Sequence, residues 1–328
     1  MTTFPVTHSI PSVLALKADF LSNYDLPEVA EVKLLSPGLN DTYVVTGADF
    51  QKYILRIYRY NWRSRSNIAY EIDVLNHLAN KNVLVARPIL RIDGQYIGKL
   101  LAPEGKRYAV LFQYAPEKEA PYDTELNQKA FNHGVGAAKI HQATQDFFSN
   151  HSRFALDLNH LVEAPLMSIL PLLTHRPADS YYFQSLAKRI SDRLNRIQSD
   201  QLEQGFCHGD FHGGNANFAD DGSITFYDFD SGGWGWRAYD LAVFRWSGRY
   251  REEEQEYWQP FLRRYQQVRT LSDLDLATIP LFMGVRHFLL LGVHTSGGKD
   301  WGYSWLNDKY FDRAIEFLQV WEKEHLSG

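Results

Sequence analysis

The residues most able to do chemistry lie in one stretch of the second half of the chain, CHGDFHGGNANFADDGSITFYDFD. Asp210 and Asn215 lie in its glycine-rich loop, and Asp228 ends the second strand of a hairpin predicted from the Asp221-Gly222 pair. We expect the hairpin to fold Asp228 back beside the loop. Carboxylate and amide oxygens suit Mg²⁺ rather than a soft transition metal. This layout fits phosphoryl transfer, in which one carboxylate accepts the proton of the attacking hydroxyl while an Asn and a second carboxylate hold Mg²⁺ on the phosphates of ATP.

The segments HGDFHGGN and YDFD together resemble the catalytic and metal loops of the aminoglycoside phosphotransferase and choline kinase superfamily. That superfamily shares the protein-kinase fold. The resemblance implies that Asp210 is the catalytic base and that Asn215 and Asp228 are the Mg²⁺ ligands. It also implies that His208 supports the loop from behind and that Asp230 lies near the substrate.

The first half of the chain contains a candidate for the cation that a nucleotide-binding lobe needs on a strand, and for the helix carboxylate that holds it. Arg56 in KYILRIYRY and Glu71 in AYEIDVLNHL occupy the matching places. Protein kinases use Lys at the first position, so Arg retains the charge but changes the contact geometry. Taken alone, Arg56 reads as a solvated strand arginine; its place in the order of motifs favours a role in ATP binding.

Four further residues are candidates for nucleotide contact. The loop SPGLNDTYVV lies between two predicted strands and offers Gly38 and Asn40, which either cover the phosphates or merely shape a turn. It lacks the three glycines of the protein-kinase loop. After the apolar strand YAVLF, the hinge equivalent is Gln113-Tyr114-Ala115, whose backbone would meet the edge of adenine.

The sequence says least about the identity of the phosphate acceptor. The aromatic segment DFDSGGWGW and the run GVRHFLLLGVHTSGGKDWGYSW favour a small-molecule pocket. The candidate acceptor-binding residues are Asp230, Trp234, His294 and Trp301, with His287 and Trp305 as further possibilities.

The elements that must position these residues change character along the chain. Residues 31–112 read as antiparallel strands interrupted by one helix over Asn67–Asn80, and after Pro116 long amphipathic helices dominate. We therefore predict an α+β, bilobed protein-kinase-like fold, with an N-terminal antiparallel sheet and one main helix, and a mostly helical C-terminal lobe. The predicted domains are a nucleotide-binding lobe over residues 1–115 and a catalytic and substrate-binding lobe over 116–328.

Composition excludes several classes of protein. The 328 residues are 45% hydrophobic and 22% charged, which is enough apolar material for a sizeable core. A net charge of −5 argues against general binding to nucleic acids, and the single Cys207 excludes a disulfide framework and cysteine-rich zinc sites. No signal peptide and no membrane-spanning stretch is expected. We expect a cytoplasmic protein with neither nucleic-acid nor membrane partners.

The main hypothesis is an ATP- and Mg²⁺-dependent phosphotransferase that acts on a hydroxyl group of a small molecule such as an amino alcohol, a sugar or an aminoglycoside-like compound. The stretches LRIYRYNWRS and RPILRIDGQYIG most resemble the branch that contains homoserine kinase type II and stress response kinase A. A protein Ser/Thr kinase of the latter type is therefore an alternative, and a pseudokinase is a weaker one. A more remote alternative is a metal-dependent hydrolase that uses His208, Asp210 and His212.

Overall fold

The computed structural model describes residues 4–116, 126–197 and 201–326. The chain divides into two compact units that interleave along the sequence. The first unit comprises Met1–Lys118, Phe147–Arg153 and Ala216–Asp230, and the second comprises Glu119–Asp146, Phe154–Asn215 and Ser231–Gly328. The lobe boundary predicted after residue 115 stays a prediction.

The first unit is built on a five-stranded sheet. Its strands are β1 Val29–Ser36, β2 Asn40–Gly47, β3 Lys52–Tyr58, β4 Gly98–Ala102 and β5 Gly105–Gln113. They follow the order β1-β2-β3-β5-β4, and every neighbouring pair is antiparallel. Burial alternates along β2, with Tyr43 and Val45 inside, as expected for a strand with one face on a core. The predicted antiparallel sheet is confirmed.

One main helix accompanies this sheet. A short helix, α1 (Val13–Ala15), precedes the strands, and the main helix, α2, spans Arg65–Asn80. The Ser64 hydroxyl caps α2 by accepting a hydrogen bond from the N–H of Asn67 at 3.1 Å. The apolar positions predicted from the helical spacing are all buried: Ile68, Ile72, Leu75 and Leu78.

The hairpin near the motif is formed by β8 (Ala216–Phe218) and β9 (Ile224–Phe226), which belong to the first unit. The two-residue turn predicted at Asp221-Gly222 is wrong. The N–H of Ala219 donates to the carbonyl of Ser223 at 3.0 Å, which leaves a three-residue loop. Gly222 takes the left-handed conformation that such a loop requires, with φ of +80°.

The second unit is mostly helical, as predicted. Its helices are α3 Leu126–Ala143, α4 Ala164–Ile169, α5 Pro177–Arg196, α6 Arg237–Tyr250, α7 Glu254–Val268, α8 Asp273–Trp301 and α9 Asp308–His325. Its strands are β6 Ala155–Leu156, β7 Gln204–Cys207 and β10 Gly233–Trp236. The central strand β10 pairs with β7 in antiparallel and with β6 in parallel orientation. The small sheet ends where the glycine-rich loop of the motif begins.

Helix α8 is the most apolar element. Over Asp273–Gly298 it is long and apolar enough to cross a membrane, with a mean hydropathy of 1.7, which differs from the sequence expectation. However, 67% of this segment is buried within the protein. Its buried apolar side chains include Ile279, Phe282, Val285 and Phe288, as in a helix that packs within a protein core.

Candidate active site

The glycine-rich loop is fixed by a buried carboxylate on α6. The side chain of Asp240 accepts hydrogen bonds from the backbone N–H groups of His208 at 2.6 Å and Gly209 at 2.8 Å. Gly209 has a φ of +80°, and a Cβ at this position would collide with the carbonyl of Ser231. The loop therefore leaves β7 in one fixed direction.

A buried histidine completes this anchor. His141 Nε2 lies 3.1 Å from Asp240 Oδ2, and its Nδ1 lies 2.9 Å from the hydroxyl of Tyr265. Burial lowers the pKa of His141, so the ring is neutral; its Nε2–H then donates to Asp240 while Tyr265 donates to Nδ1. Asp240 does not cap α6, because the N-cap position is Trp236. Its role is to hold the loop.

Asp210 lies at the end of the anchored segment, with 24% of its side chain exposed. Its Oδ1 accepts a hydrogen bond from Arg286 Nη2 at 2.5 Å, and its Oδ2 accepts one from Asn215 Nδ2 at 3.2 Å. His212 Nε2 lies 3.5 Å from Oδ2. Burial opposes ionisation of Asp210, but the charge of Arg286 and a hydrogen bond from His212 hold its pKa well below its usual range. The structure thus brings Asp210 and Asn215 together, as predicted from their spacing.

The sequence analysis missed Arg286, the cation that pairs with Asp210. It is 7% exposed, and its guanidinium lies 5.2 Å from the centre of the Trp246 indole. A signal was available in the sequence, since Arg286 is the only formally charged residue from Leu276 to Gly298. A cation in so apolar a helix needs a buried partner.

In the first unit, Arg56 joins two of the predicted site residues. Its Nη1 donates to Glu71 Oε1 at 2.8 Å, and its Nη2 donates to Asp228 Oδ1 at 3.0 Å. The second oxygen of Glu71 accepts a hydrogen bond from the Tyr58 hydroxyl at 2.8 Å. Asp228 holds a left-handed backbone with φ of +64°, which is rare outside glycine and typical of functional positions.

Asp230 is enclosed by protein groups. Its carboxylate accepts hydrogen bonds from Arg63 Nε at 2.8 Å, Trp62 Nε1 at 3.1 Å and Asn40 Nδ2 at 3.1 Å. Arg153 donates to its backbone carbonyl. Although burial opposes ionisation, the arginines around Asp230 hold its pKa well below its usual range. Asn40 and Asp230 are thus hydrogen-bonded to each other. The predicted contact of Asn40 with the nucleotide and that of Asp230 with the acceptor stay predictions.

The other nucleotide candidates have protein partners on their backbone. The carbonyl of Gly38 accepts a hydrogen bond from Arg59 at 2.8 Å, and a Cβ on Gly38 would meet nothing closer than 3.8 Å. The N–H of Gln113 donates to the carbonyl of Arg87 at 2.8 Å, so this N–H group already has a partner within the protein. Tyr114 packs near Lys52, with 5.4 Å from the amine to the ring centre.

A cleft of about 400 Å³ in the second unit is lined by three of the six candidate acceptor residues, namely His287, His294 and Trp305. His294 lies in its wall and is 2.7 Å from the hydroxyl of Tyr310. Trp305 also lines this cleft. Trp234 is elsewhere, on β10, where its indole N–H donates to Gln204 at 3.3 Å. The side chain of Trp301 lies outside the described part of the structure.

The predicted magnesium ligands have the chemistry that a hard cation needs. Asn215 donates from Nδ2 to Asp210, which leaves its amide oxygen as the atom able to bind a cation. Asp228 presents a carboxylate that is 44% exposed. Both donors are oxygens, as Mg²⁺ prefers. Within residues 4–116, 126–197 and 201–326, no group of three or more His, Cys, Asp or Glu side chains is arranged to hold a metal ion.

Comparison with known proteins identifies relatives over most of the chain. Residues 31–276 match the phosphotransferase enzyme family, APH. A protein of Deinococcus radiodurans, described only as uncharacterized, is 37% identical over 98% of this chain and 94% of its own length. The amicoumacin kinase of Bacillus subtilis is 25% identical, covering 80% of this chain and 79% of its own. A homoserine kinase of Brucella ovis is also 25% identical, over 80% of this chain and 78% of its own.

Two solved structures show the same fold. An amicoumacin kinase in complex with AMP-PNP, Ca²⁺ and Ami gives a TM-score of 0.72 at 23% identity, over 95% of this chain and 92% of its own. A microcompartment-associated aminopropanol kinase gives a TM-score of 0.74 at 22% identity, over 94% and 95%. The predicted fold class is therefore confirmed.

Proposed function

The chain belongs to the phosphotransferase enzyme family, and from that premise we propose that it transfers the γ-phosphate of ATP to a hydroxyl group of a small molecule. The observation that carries this proposal is Asp210, a partly exposed carboxylate at the end of a loop that Asp240 fixes by two backbone hydrogen bonds. Such a fixed carboxylate can align an acceptor hydroxyl without reorganising during the reaction.

The proposed reaction is a displacement at the γ-phosphorus of ATP. The acceptor oxygen attacks the γ-phosphorus and forms the new P–O bond, while the bond from that phosphorus to the β–γ bridging oxygen breaks and ADP leaves with the electron pair. The hydroxyl proton passes to the carboxylate of Asp210. Because the pKa of Asp210 is held low by Arg286 and His212 despite burial, we propose that it mainly orients the hydroxyl and accepts the proton late.

The ATP side of the reaction uses the first unit. We propose that Arg56 contacts the phosphates while Glu71 holds its guanidinium in place, on the strength of their 2.8 Å ion pair. Asn215 and Asp228 are the proposed Mg²⁺ ligands. When bound, Mg²⁺ neutralises charge on the phosphates. Gly38, Asn40, Gln113 and Tyr114 remain candidates for contact with the nucleotide.

The experiment is an ADP-release assay with Mg²⁺ and ATP over amino alcohols, hydroxy amino acids, sugars, aminoglycosides and casein. Asp210→Asn should lower kcat by about 10²–10⁴-fold with the acceptor that the screen identifies, while ATP affinity measured by calorimetry stays within about threefold. Asp192→Asn, an exposed carboxylate of the same unit, is the matched control. Wild-type kcat in Asp210→Asn would overturn the assignment, and turnover of casein alone would replace the small-molecule acceptor by a protein.

The names of the relatives leave the acceptor class open. They name amicoumacin, the amino alcohol aminopropanol and the hydroxy amino acid homoserine. The family therefore supports a small hydroxylated acceptor, and the choice among these classes depends on side chains that are particular to this chain.

A further inference from the structure

Arg286 gives the Asp210 region a charge that the proposed reaction does not itself require. The proposed hydroxyl-binding carboxylate of Asp210 is in contact with a guanidinium at 2.5 Å. Arg286 comes from the middle of α8, the most apolar helix of the protein. Burial of a guanidinium among apolar side chains is costly unless the charge is paired and its N–H groups are satisfied.

The pairing of Arg286 is incomplete. Its Nη2 donates to Asp210, and the indole of Trp246 lies 5.2 Å from the guanidinium carbon. Its Nε is buried on the side of the Tyr239 hydroxyl, where no ligand can reach it. An arginine offers five N–H donors in a planar fork, and an anion with two oxygens can engage two of them at once. The terminal Nη groups of the guanidinium are therefore the ones able to bind a carboxylate in addition to Asp210.

The charges near Arg286 also disfavour an acceptor that is only cationic. An ammonium group needs an uncompensated carboxylate, but Asp210 is neutralised by Arg286 and Asp240 is used by the loop. The cleft that begins on the same helix, beside His287, carries Lys309 and Arg313 on its wall. Among the described residues that line it there is no Asp or Glu. These basic residues favour an anion over a cation in the cleft next to Arg286 along α8.

We infer that Arg286 is a specificity residue that binds a carboxylate of the acceptor, so that the preferred acceptors are short hydroxy acids or hydroxy amino acids. This inference rests on the proposed function. An acceptor would place its hydroxyl on Asp210 and its carboxylate on Arg286. Because these two groups are 2.5 Å apart and hydrogen bonds span about 2.8 Å, the hydroxyl and the carboxylate of the acceptor must be separated by only a few bonds.

The test uses two pairs of acceptors that differ only in the carboxylate. L-Homoserine is matched by 3-aminopropan-1-ol, and L-threonine is matched by 1-aminopropan-2-ol. In the wild-type enzyme, the carboxylated member of at least one pair should have a kcat/KM about 10- to 100-fold higher than its partner, mainly through KM. A preference for the amino alcohol in both pairs would overturn the inference, as would the absence of turnover of all four compounds.

Variants then assign the preference to Arg286. Arg286→Met also removes the partner of Asp210, so we expect kcat to fall with every acceptor; the inference predicts a further loss of about 10- to 100-fold in kcat/KM for the carboxylated acceptor, which brings the two members of a pair to within about threefold of each other. Arg286→Lys keeps the charge without the fork and should lie between the two. Arg249→Met, which removes another ion-paired arginine of this unit, should retain the preference. An equal loss for both members of each pair would overturn the inference even if the variant is folded.

The failures of the two proposals are distinguishable. Turnover of only a sugar, an aminoglycoside or another acceptor without a carboxylate overturns the inference and leaves the proposed function standing. No ADP release with any acceptor in the panel overturns both. The wild-type comparison needs no substitution, so it remains decisive if Arg286→Met does not fold.

Discussion

Three carboxylates of the sequence motif are each paired with an arginine in their own unit. The pairs are Asp210 with Arg286, Asp228 with Arg56 and Asp230 with Arg63. Pairing keeps a buried or half-buried carboxylate ionised and limits its rotation, which favours a site that is organised before the substrate arrives. It also means that the local charge is nearly balanced.

The Arg56–Glu71 pair provides a prediction at the level of one side chain. Glu71→Gln keeps the size of the side chain and a partner for the Tyr58 hydroxyl, but it removes the charge that holds Arg56 at 2.8 Å. Arg56 would then be less well oriented toward the phosphates of ATP. We expect the KM for ATP to rise about tenfold, with a smaller change in kcat, in steady-state assays.

The matched control is Tyr58→Phe, which removes the other partner of Glu71 and leaves the Arg56–Glu71 ion pair in place. Its KM for ATP should stay within about threefold of the wild type. If Glu71→Gln also leaves this KM unchanged, the pair is structural and Arg56 has no part in binding ATP.

For individual residues, the sequence predicts contacts between side chains that are close along the chain. Asp210 and Asn215 are five positions apart, and the loop geometry brings them together. Arg286 and Arg63 reach their carboxylates from 76 and 167 positions away, respectively. Only the packing of α8 and of the segment before α2 creates those contacts. No local pattern specifies which carboxylate a distant arginine will reach.

At the level of the elements, the first turn of α6 holds the glycine-rich loop in place. Asp240 lies in this turn but does not cap the helix; its carboxylate accepts hydrogen bonds from two loop N–H groups and lies 3.1 Å from His141 Nε2. The carboxylate is fully buried. The position of Asp210 therefore depends on how α6 is packed.

Asp240→Asn tests this dependence. An amide offers one acceptor oxygen to two loop N–H groups, and its NH₂ faces a donor, so one buried hydrogen bond is lost. We expect the free energy of unfolding to fall by about 1–3 kcal/mol, and kcat to fall as the loop loosens. Urea unfolding and steady-state assays measure the two effects.

Asp308→Asn is the control, because Asp308 is exposed and forms only surface ion pairs. It should leave the free energy of unfolding nearly unchanged. Equal stability of the Asp240 and Asp308 variants would show that the anchor contributes nothing beyond a surface contact.

Turns show why element boundaries were predicted less well than element types. The Asp221-Gly222 pair marks a hairpin, but the pairing of Ala219 with Ser223 adds a third residue to the loop. A dipeptide such as Asp-Gly indicates that the turn needs a glycine with a left-handed backbone. The number of residues in the loop, however, is set by the register of the flanking strands.

For the whole molecule, the sequence predicted the order of strands and helices, whereas the interleaving of the two units along the chain arises from packing. Phe147–Arg153 and Ala216–Asp230 belong to the first unit although helices of the second unit surround them in sequence. Asn67 Nδ2 donates to the carbonyl of Ser152 at 3.0 Å, and β9 bridges to Val85. Such contacts join segments that are far apart along the chain, so local periodicity does not reveal them.

Two buried histidines predict how stability depends on pH. His133 and His287 are 2% and 3% exposed, respectively. Burial lowers their pKa values from 6.5 to about 4 and about 3. In the unfolded chain both regain an ordinary pKa, so between about pH 6.5 and 4 the unfolded state binds protons that the folded state does not. The free energy of unfolding must therefore fall as the pH is lowered through this window.

Each histidine contributes a slope of up to about 1.4 kcal/mol per pH unit there. His133→Asn replaces the imidazole by an amide that can still donate to the Lys129 carbonyl, which His133 Nδ1 contacts at 2.9 Å, but it cannot titrate. Urea unfolding of the wild type and the variant at pH 7, 6, 5 and 4.5 should give a shallower decline in the variant, by the contribution of one proton. Parallel pH profiles would show that His133 is protonated equally in both states, because only a difference in bound protons produces the slope.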